Sequence, residues 1–160
     1  MDFTALVRSQ RELALGGTAS SAKDRIASLE ALLDATEVHE KNLLDALHAD
    51  LGKAPVESFM SEIQMVRGEC RHAIQHLTSW MKPTRKKTPF VAWPGRSEVR
   101  REPCGSVLII GPWNYPVHLT LTPAAGALAA GWGVVIKPSE RAPHVAEAIA
   151  SMISSTIPSS

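Results

Sequence analysis

Two short segments of this 160-residue chain carry polar side chains in settings suited to chemistry. The first, GPWNYP at 111–116, places one carboxamide, Asn114, among prolines and aromatic residues. A carboxamide held in this way can aim its N–H donors at negative charge that develops on an oxygen atom. The second, KPSE at 137–140, sets Lys137 and Glu140 three residues apart, so that a cation and a hydrogen-bond acceptor can reach one polar ligand.

Each segment also has a simpler interpretation. GPWNYP would be a packed turn, and Lys137 and Glu140 would be a solvated charge pair. Their joint placement favours function, because each directly follows an apolar β-branched block, at 107–110 and at 134–136. In open α/β sheets, ligands bind beyond the carboxyl ends of the strands. The sequence therefore predicts one site at such an edge, formed by residues 111–115 and 137–140.

The elements that must position this site lie in a stretch without formal charge, 103–136. A membrane-spanning helix needs about 20 uninterrupted apolar residues, and glycines and prolines interrupt this stretch, which argues against a transmembrane segment. They divide it into a strand at 107–110, a helix at 116–130 and a strand at 134–136, followed by a helix that begins at 142 or 143 and ends at 153. Strands without polar alternation are typical of parallel sheets buried on both faces. The predicted fold class is therefore α/β, with a βαβα unit.

Helical periodicity dominates the first half of the chain. Apolar residues three or four apart predict helix over 24–51, with either a kink or a second helix near Thr36, whose hydroxyl can cap that second helix. Gly52 is predicted to end it. A further helix is predicted over 56–81, stopped by Pro83.

The segment 82–101 differs from its surroundings, with seven basic side chains and one acidic. Its three prolines and Gly95 predict a surface connection. The alternation of charged and uncharged side chains at 97–101 predicts an edge strand. The Arg85–Lys87 cluster could contact nucleic acid or an anionic membrane, but no aromatic platform is interleaved with the charges, which favours a solvated loop. Over the whole chain 17 basic residues balance 16 acidic ones, which argues against nucleic acid as a partner.

Metal and disulfide chemistry find little support in the sequence. Cys70 and Cys104 are too isolated for a disulfide framework or a CxxC site, and they are predicted to be ordinary buried or half-buried thiols. His72 and His76 lie four apart on a predicted helix, but no third ligand accompanies them, so no metal site is predicted. The N-terminus shows no secretory signal, and we expect an intracellular, cytoplasmic protein.

The polar segments and their flanks carry a family resemblance. EPCGSVLIIGPWNYPVHLTLTPAAGALAAG, followed by VVIKPSE, closely resembles aldehyde dehydrogenases, and among them the class 3 or fatty-aldehyde type. DLGK at Asp50–Lys53 and SEI at Ser61–Ile63 extend the resemblance over nearly the whole chain.

The resemblance implies NAD(P)-dependent oxidation of an aldehyde substrate to a carboxylic acid. Asn114 would be the oxyanion-hole amide, and Lys137 and Glu140 would bind the adenosine ribose hydroxyls of NAD or NADP. The residues implied to line the cofactor cleft are Ile110, Gly111, Pro112 and Trp113.

The resemblance also implies three parts: a helical lead-in at 1–81, a connection with the edge strand of an oligomerisation sheet at 82–102, and the start of an NAD(P)-binding Rossmann-like domain at 103–160. In the family the nucleophilic cysteine, the general-base glutamate and the pyrophosphate loop lie further along the sequence. We therefore expect a truncated dehydrogenase, a homodimer in its full-length form, whose 160 residues alone are inactive and bind cofactor weakly or not at all. The alternative is a non-catalytic module or remnant that pairs with a full-length relative.

One local departure from the family lies before the second strand. Members usually have Gly-Asn there, whereas Gly131 is here followed by Trp132. A bulky residue in the left-handed conformation would cost about 1–2 kcal/mol, unless Gly133 adopts that conformation instead. The placement of Lys137 at the end of the strand depends on which of these residues adopts the left-handed conformation. Separately, strand edges without partners predict poor solubility.

Overall fold

The computed structural model describes residues 4, 8 and 21–156. The N-terminal segment that shows no secretory signal, and with it the start of the predicted lead-in, lies outside the described residues except at positions 4 and 8. The elements are, in order, α1 (Ala22–Val38), α2 (Glu40–Leu51), α3 (Pro55–Ser58), a π-helical turn (Phe59–Ile63), α4 (Gln64–Trp80), β1 (Thr84–Lys86), a 3₁₀ turn (Phe90–Ala92), β2 (Ser97–Val99), β3 (Ser106–Ile110), α5 (His118–Ala129), β4 (Gly133–Lys137) and α6 (Pro143–Thr156). The predicted α/β class and the βαβα order are confirmed.

Two separate helices, α1 and α2, form the first part of the lead-in. The break lies at His39, which precedes α2 without a side-chain cap. The prediction that Thr36 caps α2 is wrong, because Thr36 lies inside α1, where its hydroxyl donates to Leu33 O (2.7 Å) and accepts from Arg67 Nε (3.2 Å). Gly52 ends α2 with a left-handed φ of 64°, as predicted.

The next helical segment runs without interruption from α3 through the π-helical turn into α4. The helix predicted over 56–81 is confirmed, and Ile63, Val66, Cys70 and Leu77 along it are all buried. The π-helical turn was not predicted and has no recognisable pattern in the sequence. Such turns often mark functional sites, and this one carries Glu62 into the interior.

The strands β1 and β2 form an antiparallel hairpin in which Arg85 lies opposite Glu98. The predicted edge strand is confirmed at Ser97–Val99. The prediction of a loop for the basic cluster is wrong for Arg85 and Lys86, because β2 supplies a hydrogen-bonding partner that makes them a strand. Three large apolar side chains are exposed near the tip: Phe90, Val91 and Trp93.

The strands β3 and β4 pair in parallel, from Ser106 opposite Gly133 to Ile110 opposite Lys137. The expectation that both strand faces are buried is wrong for this chain. Ile109 is 8% exposed, but Leu108 is 58% and Ile110 is 66% exposed. Alternate residues of a strand point to opposite faces, so one face of β3 is covered and the other is open.

The lead-in helices and the βαβα unit share one hydrophobic core. Each of the five longer helices contributes to it a fully buried side chain, such as Leu29, Leu43, Val66, Leu121 and Val145. The lead-in is therefore packed directly against the helices that follow β3 and β4. None of the helices within the described residues has the length and apolar character needed to cross a membrane.

In the turn before β4, the left-handed conformation was expected at Trp132 or at Gly133, and the structure shows it at neither. Gly131 itself takes the left-handed conformation, with φ of 77°, and no non-glycine among the described residues has a positive φ. The backbone of Trp132 therefore does not adopt the left-handed conformation, and Gly133 is an ordinary strand residue. The register of β4 is regular as far as Lys137.

Candidate functional site

The two polar segments meet at one edge of the parallel sheet. Ile110 is the register partner of Lys137, and the next residue, Gly111, donates its backbone N–H to Lys137 O (2.9 Å). The loop at 111–115, which we call the amide loop, and the loop at 137–140, which we call the charged loop, therefore leave neighbouring strands side by side. The structure thus brings together the two segments that the sequence singled out.

Gly111 lies where the amide loop approaches α5 most closely. A Cβ atom at this position would lie 2.0 Å from Thr120 Oγ1, well inside van der Waals contact. Thr120 is fully buried, and its hydroxyl has no hydrogen-bond partner among the described residues. Any larger residue at 111 would therefore force the Thr120 side chain, the loop or the helix to shift.

Much of the amide loop, and Ile110 before it, is open to solvent. Ile110 is 66% and Trp113 is 50% exposed, while Pro112 is half-buried. Asn114 is also exposed, and within the described residues its carboxamide makes no hydrogen bond. The amide donors of Asn114 are therefore available to a ligand.

The main chain of the amide loop is held from behind by Lys53, which follows α2. Lys53 Nζ donates to Asn114 O (3.0 Å) and lies 3.9 Å from the centroid of the Tyr115 ring. The same ammonium group forms an ion pair with Glu62, in which both side chains are nearly or fully buried. The amide loop is thus tied to the lead-in through a buried charge.

Glu62 also caps the helix that follows the amide loop. Its Oε2 accepts the backbone N–H groups of Val117 (2.8 Å) and His118 (3.2 Å), at the start of α5. A carboxylate at a helix N-terminus satisfies unpaired donors and favours the helix dipole. Lys53 and Glu62 were not predicted as site residues, although both lie in the DLGK and SEI segments that extend the family resemblance.

The charged loop is arranged differently. Lys137 Nζ lies 2.8 Å from Glu140 Oε2, and these side chains are 56% and 79% exposed. The hydrogen bond from Lys137 holds the pKa of Glu140 below its ordinary value. The pair therefore presents a cation and an ionised carboxylate to solvent at the strand end.

The helix behind the charged loop is capped by Asp50, at the end of α2. Asp50 accepts the backbone N–H of Val145 (2.9 Å) and pairs with Nδ1 of His144 (2.6 Å). Burial raises the pKa of Asp50, but the hydrogen bonds from Val145 and His144 outweigh it and leave this pKa below its ordinary value. The short stretch from Asp50 to Lys53 thus contacts both the amide loop and the start of α6, the helix that follows the charged loop.

Neither cysteine lies where it could attack a ligand at this edge. Cys70 is buried in the core, and burial, reinforced by the charge of Glu69, raises the pKa of its thiol to about 11. Cys104 is exposed, which contradicts the prediction of a buried or half-buried thiol. It precedes β3, and a five-residue strand spans about 16 Å, so Cys104 lies at the opposite end of the sheet from Asn114.

The two histidines of α4 form part of an exposed aromatic stack. The ring centroids of His72 and His76 are 4.3 Å apart, and His76 stacks on Trp80 at 5.8 Å. Within residues 21–156 and positions 4 and 8, no group of three or more His, Cys, Asp or Glu side chains is placed to hold a metal ion.

Known proteins match the chain over almost its whole length. The profile of the aldehyde dehydrogenase family matches residues 2–160. An aldehyde dehydrogenase of Craterostigma plantagineum is 39% identical over 160 residues, which are 100% of this chain and 33% of that protein. Human aldehyde dehydrogenase family 3 member B1 is 40% identical over 147 residues, 92% of this chain and 31% of that protein.

A solved structure also matches almost the whole of this chain but only part of its own length. The substrate-bound state of Staphylococcus aureus AldH superposes with a TM-score of 0.91 at 34% sequence identity, over 98% of this chain and 34% of that one. This chain therefore spans about a third of the length of the relatives that it matches.

Proposed function

Because this chain belongs to the aldehyde dehydrogenase family, we propose that it supplies the oxyanion amide and half of the cofactor site of an NAD(P)-dependent enzyme that oxidises aldehydes to carboxylic acids. The register of β3 and β4 carries the proposal, since it sets the amide loop beside the charged loop. They share the sheet edge at which parallel α/β sheets bind ligands.

In this proposal the carboxamide of Asn114 donates a hydrogen bond to the aldehyde oxygen as negative charge develops on it. One such donor contributes about 3–4 kcal/mol to the stability of the transition state. Its exposure and its lack of a hydrogen bond within the described residues support this role.

Lys137 and Glu140 are proposed to bind the adenosine ribose hydroxyls of NAD or NADP, one as donor and one as acceptor. The donor set fits, because both side chains project into solvent at the strand end and the carboxylate is ionised. The cofactor cleft is lined by Ile110, Gly111, Pro112 and Trp113. When bound, the cofactor accepts a hydride from the substrate.

We propose that the 160 residues alone do not oxidise aldehydes. A covalent mechanism needs a thiolate within reach of the carbonyl carbon. Cys70 is buried with a raised pKa, and Cys104 lies at the far end of β3. NADH production from aliphatic or aromatic aldehydes that survives stringent purification would contradict this proposal.

Two further aspects of the whole protein are proposed on indirect support. A homodimeric full-length form is supported by the exposed apolar tip and by the edges of the β1–β2 hairpin, which pair with no further strand among the described residues. A cytoplasmic location is supported by two free cysteines, one of them exposed, since exposed thiols persist in reducing compartments.

Saturation-transfer difference NMR with NAD⁺ and NADP⁺ at millimolar concentration tests the cofactor half-site. We expect weak signals from the adenosine ribose protons, and we expect Lys137→Ala and Glu140→Ala to abolish them. Lys41→Ala is the matched control, because Lys41 and Asp45 form another exposed ion pair within a few residues of each other. Signals that persist in Lys137→Ala, or that are absent from the unsubstituted chain, would contradict the proposed half-site.

A further inference from the structure

Glu62 is the most deeply buried charged side chain of the described residues, with no exposed surface. A buried carboxylate is tolerated only when ion pairs and hydrogen bonds replace the water that it loses. Lys53 and the backbone N–H groups of Val117 and His118 provide this compensation. The carboxylate therefore joins Lys53, nine residues before it, to the start of α5, 55 residues after it.

The ammonium group of Lys53 does more than neutralise Glu62. Of its three donors, one points to Glu62 and one to Asn114 O, and the group lies against the face of the Tyr115 ring. A cation over an aromatic face is attracted by the ring. Lys53 thus holds the main-chain carbonyl of Asn114 and the ring of Tyr115, and it leaves the carboxamide of Asn114 unengaged.

We propose that Lys53 and Glu62 are positioning residues for the Asn114 carboxamide. Glu62 holds the ammonium group of Lys53, and Lys53 holds the backbone from which the carboxamide projects. The inference rests on the proposed role of Asn114 as the oxyanion donor. A misplacement of about 1 Å in such a group can reduce catalysis about 100-fold, so a rigid backbone anchor has a clear use here.

The test uses Tyr115, which is the only tyrosine in the chain. Labelling with 3-fluorotyrosine gives one ¹⁹F resonance, which reports on the ring that lies under the Lys53 ammonium group. We expect Lys53→Met to move this resonance towards its position in the unfolded chain. Glu62→Gln should move it in the same direction by a smaller amount, although Lys53 itself is still present, because the ammonium group is then held less firmly.

Arg67→Met is the control for a general loss of stability. Arg67 is a buried cation of the helical segment that contains Glu62, but it bonds to Thr36 and Glu40 and not to the amide loop. We expect it to lower the unfolding midpoint and to leave the Tyr115 resonance of the folded chain unchanged. A displacement as large as that of Lys53→Met would overturn the proposal.

A double variant keeps the test decisive if Lys53→Met alone does not fold. Lys53→Met with Glu62→Gln has no unpaired buried charge, and the carboxamide oxygen introduced at position 62 can still accept the α5 amides. We expect native-like protection of α5 from hydrogen exchange together with a displaced Tyr115 resonance. A resonance that coincides with that of the unsubstituted chain, or a double variant that also fails to fold, would mean that the pair is only structural. Neither measurement involves cofactor or aldehyde, so failure of the cofactor half-site would leave this result unaffected.

Discussion

The amide loop and the charged loop lie side by side but are held by opposite means. The amide loop is fixed through its main chain by Lys53 and Glu62, which are buried. The charged loop displays Lys137 and Glu140, which are exposed and paired with each other. A donor that must meet a reacting oxygen benefits from a fixed backbone, whereas groups that bind a flexible ligand can exchange one partner for another. The comparison separates residues that fix the position of a loop, Lys53 and Glu62, from residues proposed to contact a ligand, Lys137 and Glu140.

Breaking the buried anchor should have the largest effect on stability. Glu62→Leu leaves Lys53 with an unpaired buried charge and removes the cap of α5, and we expect a loss of about 3–5 kcal/mol in the free energy of unfolding. Urea unfolding followed by circular dichroism measures it. Adding Lys53→Met should recover part of the loss, since neither charge of this pair then remains buried. A loss below about 1 kcal/mol in Glu62→Leu would show that water, and not Glu62, compensates Lys53.

Crowding the amide loop should have the next largest effect. In Gly111→Ala the new methyl group overlaps Thr120 Oγ1, and we expect a loss of about 1–3 kcal/mol. Gly126→Ala is the control, because a Cβ at that position in α5 meets no atom within 4 Å. It should instead gain up to about 1 kcal/mol from helix propensity. Equal midpoints for the two variants in urea would contradict the close approach at Gly111.

The cap behind the charged loop should have a smaller effect that depends on pH. Because the pKa of Asp50 is lowered from 3.8 in the folded chain, its contribution to stability is present above that value and is lost as the pH falls through the folded pKa. We expect Asp50→Ala to cost about 1 kcal/mol at neutral pH and less at about pH 3. Asp45→Ala, which removes an exposed carboxylate of α2, is the control at neutral pH and should cost less. A constant loss for Asp50→Ala over this range would contradict the proposed origin of the shift.

Substitution in the charged loop itself should have the smallest effect on stability. Lys137 and Glu140 are exposed and solvent-screened, so Lys137→Met should leave the unfolding midpoint unchanged within error. The same variant should lose the cofactor signals in saturation-transfer NMR. A clear fall in the midpoint would mean that this pair, like Lys53 and Glu62, has a structural role, and the contrast between the two loops would fail.

The sequence predicted the elements that depend on local pattern. Apolar spacing predicted the helical stretch that contains α1 and α2, and glycines and prolines divided the charge-free stretch into β3, α5 and β4. Gly52 was predicted from its position after a helical stripe, and it ends α2 as expected. The two loops were found because parallel strands bring their carboxyl ends to one edge. In each case the signal lies within a few residues of the feature.

The features that were missed or wrong depend on distant partners. Thr36 has the residue type of a helix cap, but Arg67, 31 residues away, binds its hydroxyl inside α1. Leu108 has the character of a doubly buried strand residue, yet burial requires cover on both faces of the sheet, and one face of β3 is open. No periodic pattern in the sequence singles out Lys53 or Glu62. Their roles become visible only when the amide loop is placed beside them.

The carboxylate caps also have a consequence for how the molecule folds. Glu62 lies 55 residues before Val117, and Asp50 lies 95 residues before Val145. Closing the 95-residue chain segment costs only about 0.5 kcal/mol more than closing the 55-residue one. Each contact forms only after the two ends of its segment have met. Contacts of long sequence separation slow folding. The helices α5 and α6 therefore gain their caps only as the core assembles, so the alignment of the two loops is completed in the same step as the fold.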